Sequence, residues 1–441
     1  MPTLPAKNVF PQTARVNRKG HLVIGGCDVA DLAADFGTPL YVFDEQTLRA
    51  TCQTYLREFR ARYPKTQVIY AAKAFSNLAL TKLLAEEGLG MDVVSGGEMA
   101  LAKAGGMPLS QVYFHGNNKS PQELQEALNW GVGRIVVDSF HELALLESRQ
   151  VGTGQEGKTQ DILIRVSPGV DPHTHAKITT GILDSKFGFS IATGDAEKAV
   201  RQALSSRHLR LLGLHCHIGS QLFELEPYQE AIRITLTFAA QMREYGLKLA
   251  EFGAGGGFGI AYLRDQRPPT IAEYADALVG ALKASLKDMA FQEPAFVIEP
   301  GRSIVGPAGV ALYTVGARKE IPGVRTYLSV DGGMGDNIRP ALYEARYEAF
   351  VANHMDKAPT DVVTIAGKYC ESGDILVKDA ALAPSQPGDL IVMPAAGAYC
   401  IPMSSNYNMA PKPAIVMVKD GKARLIRRRE TYEDLMAADV M

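Results

Sequence analysis

Several features that would indicate a special environment or partner are scarce in this chain. The five cysteines are odd in number and widely scattered, and no C-x-x-C occurs; this disfavours a disulfide framework and a zinc ribbon. No apolar run approaches the ~20 residues that a membrane-spanning helix needs. The largest basic block is the three arginines at 427–429, too few to indicate a nucleic-acid-binding surface.

The net charge and the first residues of the chain argue against further classes of protein. The formal net charge is −2, with a pI of about 6.5, so no excess of either sign attracts an oppositely charged polymer. The opening stretch MPTLPAKNVFPQTARVNRKG lacks the apolar core and cleavage pattern of a signal peptide. We therefore expect a cytoplasmic protein that acts on a small molecule and binds neither nucleic acid nor membranes.

Short apolar runs alternate with helical patterns from about residue 40 to residue 305. Segments such as NLALTKLLAEEG and GEMALAKAGG carry apolar residues at helical spacing. The alternation predicts a parallel sheet closed as a (β/α)8 barrel. There are nine candidate strands for the eight strand positions of the barrel. The first candidate can instead belong to a crossover between domains. The nine runs are YVF (41), QVIYAAK (67), GMDVVS (90), VYFHG (112), RIVVDS (134), DILIRVSP (161), LLGLHCHIGS (211), LAEFGAGGG (249) and AFVIEPGRS (295).

Polar residues and glycines gather at the carboxyl ends of these runs. Barrel active sites are built at that face, so we expect the site there. Polar loop starts explain one or two such residues, but not nearly every strand. The residues in question are Lys73, Asp92, Ser95, His115, Asp138, Arg165, His217, the glycines 255–257 and Glu299.

After residue 305 the pattern changes to short β-like runs between Gly, Pro and Asp turns, such as RTYLSVDGG and AIVMVKDGKARLI. This indicates a second, mostly β domain. The early segment GHLVIGGCDVADLA is expected to join it. The predicted organisation is an N-terminal segment 1–38 belonging to the β domain, a barrel 39–308, and a β domain 309–441.

Three motifs are candidates for a chemical role in the site. Each of them also has a simpler structural interpretation. Lys73 ends an apolar strand, where a desolvated amine can attack a carbonyl, or it is a solvated lysine. The glycines of EFGAGGGFG can hold a phosphate through backbone N–H groups, or form a simple turn; Phe258 breaks the dinucleotide pattern. Glu299 can pair with a protonated ring nitrogen, or with Arg302.

Two His-x-His motifs, in DPHTH (171–175) and LHCHIGSQ (214–221), support a rival interpretation. Alternate strand residues point the same way, so such pairs can share a metal in a barrel hydrolase. In amidohydrolase-like barrels, however, this motif lies on the first strand, and no further His–Asp ligand set follows here. The ring of His217 can also stack on an aromatic cofactor.

Taken together, these segments resemble the fold-type III pyridoxal-phosphate-dependent decarboxylases, most closely the branch that acts on meso-diaminopimelate. That family combines an alanine-racemase-like barrel with a β domain, in agreement with the pattern above. Each motif is weak alone, but eight in order are specific. They are YAAKAFSN, DSKFGF, GLHCHIGSQ, GAGGGFG, EPGRSIVG, DGGMGDNIRPALY, CESGD and GAYCIPMSSNYN.

The resemblance implies a role for individual residues. Lys73 would form the Schiff base with pyridoxal phosphate, His217 would stack on its ring, and Glu299 would keep the ring nitrogen protonated. Cys370 would be the proton donor, supplied with Glu371 across the interface of a homodimer. The implied phosphate-binding residues are Ser220, Gly256, Gly257, Gly301, Arg302 and Tyr399, with Asp92 near the cofactor. The implied substrate-binding residues are Arg302, Arg339, Tyr343, Glu371 and Tyr399.

The resemblance further implies that meso-diaminopimelate loses CO2 to give L-lysine. Arg302 and Arg339 suit the distal carboxylate of this substrate, and Glu371 suits its ammonium. Ornithine-type relatives have Asp in place of Glu371. Decarboxylation of carboxynorspermidine, ornithine or arginine is the alternative, and a metal-dependent hydrolase or a non-catalytic cofactor-binding protein is a remoter one. One departure is AAKAFSN, where many relatives have Asn two residues after the lysine.

Overall fold

Eight parallel strands close into a barrel in the computed structural model, which describes residues 3–148, 159–170 and 185–441. Each strand pairs with the next, and the eighth pairs with the first through Phe296 and Thr66. The predicted (β/α)8 barrel is therefore confirmed. In chain order the barrel strands are Thr66–Ala71, Gly90–Val93, Val112–Phe114, Arg134–Val137, Gln160–Ser167, Leu209–His215, Glu251–Gly253 and Ala295–Ile298.

Helices join the barrel strands, and polar side chains cap several of their starts. Ser95, Ser120 and Ser139 each accept a hydrogen bond from the backbone N–H three residues on, which satisfies a donor the helix leaves open. Among the helices described, none is long and apolar enough to cross a membrane. The helices are Glu45–Arg62, Leu78–Glu86, Gly96–Ala104, Pro121–Trp130, Phe140–Glu147, Asp195–Leu204, Glu226–Gln241 and Ile271–Asp288, with 3-10 turns at Ala72–Ala74, Leu109–Gln111 and Met242–Tyr245.

The interior of the barrel is packed with side chains. Buried residues from five strands touch there, and Leu212 packs against them. A filled interior leaves the strand ends as the place for a cavity. The interior residues are Ile69, Tyr113, Val136, Leu163 and Val297.

The β-rich part of the chain forms a second compact unit. Its central strand Gly309–Ile321 pairs with Leu40–Asp44, which in turn pairs with Ala414–Lys419. The first of the nine candidate strands, YVF at 41, thus belongs to this sheet, and eight strands are left for the barrel. The other strands of the unit are Arg15–Val16, Leu22–Ile24, Cys27–Asp28, Arg325–Val330, Phe350–Val351, Asp361–Ala366, Ile375–Leu382, Leu390–Met393 and Lys422–Arg427, with helices Val29–Phe36, Arg302–Val305, Arg339–Tyr343 and Tyr432–Met436.

The amino-terminal segment packs into the core of this β unit. Val9, Leu22 and Val29 are fully buried in one cluster with Val310 and Val416. The compact units consist of residues 1–51, 260–268 and 302–441, and of residues 52–259 and 269–301. The predicted domain boundaries remain a prediction; they are 1–38, 39–308 and 309–441. The compact units divide the chain at other points, because Leu40–Asp44 pairs in the β sheet.

Candidate active site

The carboxyl ends of the barrel strands surround a cavity of about 620 Å³. It brings together Lys73, Asp92, His217, Ser220 and Glu299, five of the residues that the resemblance implies for the cofactor. Neighbouring strand ends of a closed barrel converge, which is why residues more than 200 positions apart meet here. The charged and histidine residues of the lining are Lys73, Asp92, His115, Arg165, His215, His217 and Glu299.

Lys73 is held at the cavity by a short turn. It lies in the 3-10 turn Ala72–Ala74 directly after the first barrel strand and is exposed toward the cavity it lines. The turn is fixed because the Tyr70 hydroxyl donates to the Phe75 carbonyl at 2.6 Å. Gly301 approaches the same turn so closely that a Cβ there would lie 2.9 Å from the Cβ of Ala71. The backbone that presents the amine is thus rigid.

Glu299 is a buried carboxylate between two histidines. Its Oε1 lies 3.0 Å from His215 Nε2 and 3.3 Å from His115 Nε2. These are ion-pair distances, but neither contact has the angles of a full hydrogen bond. Burial alone raises the pKa of Glu299; the two imidazoles outweigh it and hold that pKa well below its ordinary value. Glu299 is therefore an anion at neutral pH.

His217 lies apart from this pair. Its Nδ1 accepts a hydrogen bond from the Gly256 N–H at 3.3 Å, which orients the ring. Burial and the Lys73 ammonium lower the pKa of His217 well below its ordinary value, so the ring is neutral and suited to stacking. The metal alternative needed the histidines of His-x-His to act together, but His215 faces Glu299 while His217 contacts the glycine turn. The other motif, DPHTH, lies outside the described residues, as does Asp184 of DSKFGF.

The glycine turn packs against the cavity rim too tightly for any side chain. A Cβ at Gly256 would collide with the Glu299 carbonyl oxygen, and one at Gly257, whose φ is +97°, with the Gly219 carbonyl. Gly256 and Gly257 therefore shape the rim behind His217 and Gly219. Ser220 lies directly on the cavity.

We expect Gly256→Ala to lower the free energy of unfolding by about 3 kcal/mol, as overpacking of a tight site does. Urea denaturation of the purified protein measures this. Gly280→Ala, in the helix Ile271–Asp288, is the matched control: among the described residues no atom outside the local helix backbone lies within 4 Å of its added Cβ, so stability should rise by about 0.5–1 kcal/mol. Equal effects of the two substitutions would contradict the tight packing at Gly256.

Arg165 belongs to a network of polar side chains that the sequence motifs did not identify as part of the site. Its guanidinium lies 3.6 Å from Asp138 Oδ2 and 4.5 Å from the ring centroid of Phe187. Asp138 also accepts from the Gly188 N–H at 2.8 Å, and its own N–H donates to Glu142 at 3.0 Å. The sequence marked Asp138 and Arg165 only by their position at strand ends; in the structure Arg165 lines the cavity and Asp138 contacts it from behind.

The β unit contains a separate cluster of predicted residues. Arg302 donates to the Tyr262 hydroxyl at 2.6 Å and lies 4.6 Å from the ring of Tyr399. Arg339 is buried, donates to the Tyr347 hydroxyl, and lies 4.8 Å from the ring of Tyr262. Tyr262 and Tyr347, which the sequence did not single out, thus hold both guanidiniums. Tyr399 has a left-handed φ of +63°, a conformation often found at functional sites.

Cys370 and Glu371 lie on an exposed turn of the same unit, while the other four cysteines are buried and all five are free. The buried Asp374 fixes this turn by accepting from the N–H groups of Tyr369 at 2.8 Å and Met334 at 2.6 Å. The Cys370 N–H donates to Asn408 at 2.9 Å. Tyr343 is exposed as well. The thiol is therefore presented to the outside on a fixed backbone.

Comparison with known proteins identifies the class of this barrel protein as the pyridoxal-dependent decarboxylases. Residues 49–306 match the family model described as the pyridoxal binding domain of pyridoxal-dependent decarboxylases. The chain is 48% identical to a diaminopimelate decarboxylase of Bacillus subtilis (strain 168), over 97% of each chain. It is 46% identical to one of Synechocystis sp., covering 99% of this chain and 94% of the relative.

A solved structure agrees over the whole length. The crystal structure of diaminopimelate decarboxylase from M. jannaschii in complex with L-lysine superposes with a TM-score of 0.91 at 37% identity, covering 98% of each chain. The chain belongs to the diaminopimelate decarboxylase family. The expected alanine-racemase-like fold, decarboxylase class and pyridoxal phosphate cofactor are thereby confirmed.

Proposed function

We propose that the chain removes CO2 from meso-diaminopimelate to give L-lysine, with Lys73 as cofactor-binding lysine and Cys370 as proton donor. The observation that carries the proposal is the meeting of Lys73, His217 and Glu299 in one cavity. These are an amine, a flat neutral ring and a buried anion. Their chemistry matches the aldehyde, the ring face and the ring nitrogen of pyridoxal phosphate.

The residues present fit this cofactor. Asp92 Oδ1 and His215 Nδ1 are buried polar atoms with no hydrogen-bond partner among the described residues, as expected near a polar ligand. Ser220 lines the cavity, and backbone N–H groups of a glycine turn are groups that can hold a phosphate, although the N–H of Gly256 donates to His217. Gly301, Arg302 and Tyr399 remain predicted phosphate-binding residues.

Each protein group has a distinct task in the proposed reaction. The cofactor, when bound, supplies an electron sink for the charge left on the α-carbon after CO2 departs. Glu299 would deepen that sink by keeping the ring nitrogen protonated, and His217 would lie against the ring. The Cys370 thiol would act as general acid and deliver a proton to the α-carbon.

The arginine cluster supports the choice of substrate. Within the described chain Arg339 contacts hydroxyl and aromatic groups and makes no ion pair with a carboxylate, although it is buried. A buried guanidinium without an acid partner is suited to an anionic ligand. We assign Arg302 and Arg339 to the distal carboxylate of meso-diaminopimelate, Glu371 to its ammonium, and Tyr343 and Tyr399 to the remaining contacts.

Arg339→Met is expected to raise KM for meso-diaminopimelate about 10- to 100-fold, since a charge-assisted contact contributes about 1.5–3 kcal/mol. Steady-state CO2 release measures it, with Arg339→Lys as a milder variant. Arg325→Met is the control, because Arg325 is only partly buried and pairs with the exposed Asp379, so this ion pair contributes little. An unchanged KM would remove Arg339 from the substrate site.

A parallel assay of meso-diaminopimelate, ornithine, arginine and lysine tests the reaction itself. We expect CO2 from the first alone. Faster turnover of ornithine or arginine would reassign the substrate within the family. Absence of turnover by a protein that carries the cofactor would overturn the proposal.

The proposal includes a cytoplasmic homodimer in which Cys370 and Glu371 of one chain serve the Lys73 of the other. The support is local. Cys370 is exposed on a fixed turn, and its neighbours Tyr407 and Met409 are exposed apolar side chains that a partner would cover.

A further inference from the structure

Three buried side chains from distant strands meet at one oxygen atom. His115 follows the third barrel strand, His215 ends the sixth, and Glu299 follows the eighth. Both imidazole Nε2 atoms face Oε1 of Glu299, at 3.3 and 3.0 Å, and their rings cross edge to face with centroids 4.8 Å apart. The cofactor-binding and substrate-binding residues proposed above include neither histidine.

We infer that His115 and His215 are positioning residues, which hold the Glu299 carboxylate by one oxygen and leave the other for the ring nitrogen of the cofactor. The inference rests on the proposed role of Glu299. It extends that role to two residues that touch Glu299 rather than the reacting atoms.

The charge of the group fits this task. Burial lowers the pKa of His215, which favours its neutral imidazole, while the pKa of Glu299 is held well below its ordinary value, which favours the carboxylate. A protonated ring nitrogen supplies the matching positive charge. Were His215 charged, it would neutralise Glu299 and weaken its hold on that proton. The other charged groups near the three residues are Asp92, whose Oδ1 is 3.8 Å from His115 Nε2, Lys73 and Arg165.

The need for two histidines follows from burial. Glu299 is 7% exposed, so water contributes little to its solvation. Without the imidazoles, burial would raise the carboxyl pKa and favour the neutral acid, which cannot hold a proton on the ring. The present contacts are imperfectly aligned, and such contacts often tighten when the ligand is bound.

The same three atoms lie within 4.8 Å of one another and would also suit a divalent metal. A metal there would occupy the carboxylate that the cofactor needs. Metal content is therefore part of the test, and one equivalent of zinc in the active holoenzyme, lost on substitution of His215, would overturn the inference.

The experiment compares His215→Leu and His115→Leu with His215→Gln and His115→Gln in the holoenzyme. Leucine removes the N–H group, whereas glutamine keeps one at a similar reach. The measurements are the cofactor dissociation constant, the absorbance spectrum of bound cofactor as a function of pH, kcat, KM and the thermal unfolding midpoint. Cys216→Ala is the control, a substitution at the buried residue that follows His215 in the chain.

For each leucine variant we expect about 10-fold weaker cofactor binding, about 10-fold lower kcat, and a spectral transition at lower pH as the ring nitrogen loses its proton more readily. KM should change little, and glutamine should restore most of the loss. Leucine variants equal to wild type in spectrum and affinity would overturn the inference. So would glutamine variants as impaired as leucine with a lowered midpoint, which would indicate a packing role. A wild-type protein without cofactor absorbance would instead refute the proposed function.

Discussion

Lys73→Ala is expected to abolish the visible absorbance band of the lysine-bound cofactor and to lower kcat by about 10³-fold or more. The physical reason is that the substitution removes both the covalent attachment point and a positioned amine. The turn Ala72–Ala74 is fixed by the Tyr70–Phe75 hydrogen bond and has alanines on both sides, so the fold should persist. Absorbance, cofactor content and CO2 release measure the outcome.

Lys119→Ala is the control that distinguishes the general effect of removing a buried lysine from the specific effect of removing Lys73. Lys119 is buried, contacts Glu142 at 2.8 Å and bonds to two backbone carbonyls, so its loss should lower stability while the cofactor band remains. A Lys73→Ala protein with an unchanged spectrum would remove Lys73 from its assigned role.

Cys370→Ala has the second largest expected effect. It should lower kcat by about 10²- to 10⁴-fold, the range for loss of a general acid, while the cofactor band and its affinity stay as in wild type. Stability should be unaffected, because the side chain is exposed and Asp374 fixes the turn. Cys27→Ala, at a buried free cysteine of the β unit, is the control with normal turnover. Full activity of Cys370→Ala would exclude the thiol as donor.

Together the two variants test shared active sites. Inactive Lys73→Ala chains mixed with inactive Cys370→Ala chains should regain activity, since one hybrid dimer contains one site with both wild-type residues. At equal mixing about a quarter of wild-type activity is expected, because half of the dimers are hybrids and each has one intact site of two. No recovery, with subunit exchange proven by tagged chains, would contradict a site shared between chains.

The barrel was predictable because its signal is local. Buried parallel strands are short apolar runs, and amphipathic helices between them have a different period, so each element can be recognised alone. The first candidate, Leu40–Asp44, shows the limit. Its five residues are all buried, as in a barrel strand, yet it pairs with Gly309–Ile321 and Ala414–Lys419. A strand that is buried on both faces has the same sequence pattern in either sheet. Only its pairing partners show to which sheet it belongs.

The candidate site was predictable only in part. Lys73, Asp92 and Glu299 stand at strand ends, where polarity in an apolar context marks them. Ser95 shares that position, but its side chain caps the helix Gly96–Ala104 by accepting from Glu98 N–H at 3.2 Å. A helix cap and a site residue have the same sequence signal because both follow a strand.

The sequence by itself determined the alternation of strands and helices, the β-rich end, and the residue types that chemistry requires at strand ends. Tertiary structure alone decided which of those residues meet. His115, His215 and Glu299 converge on one oxygen because barrel closure brings the ends of the third, sixth and eighth strands together. Tyr262 and Tyr347 likewise join Arg302 and Arg339. A local sequence pattern contains no information about the distance between remote residues. Those distances determine whether a buried carboxylate is charged and how a guanidinium is oriented.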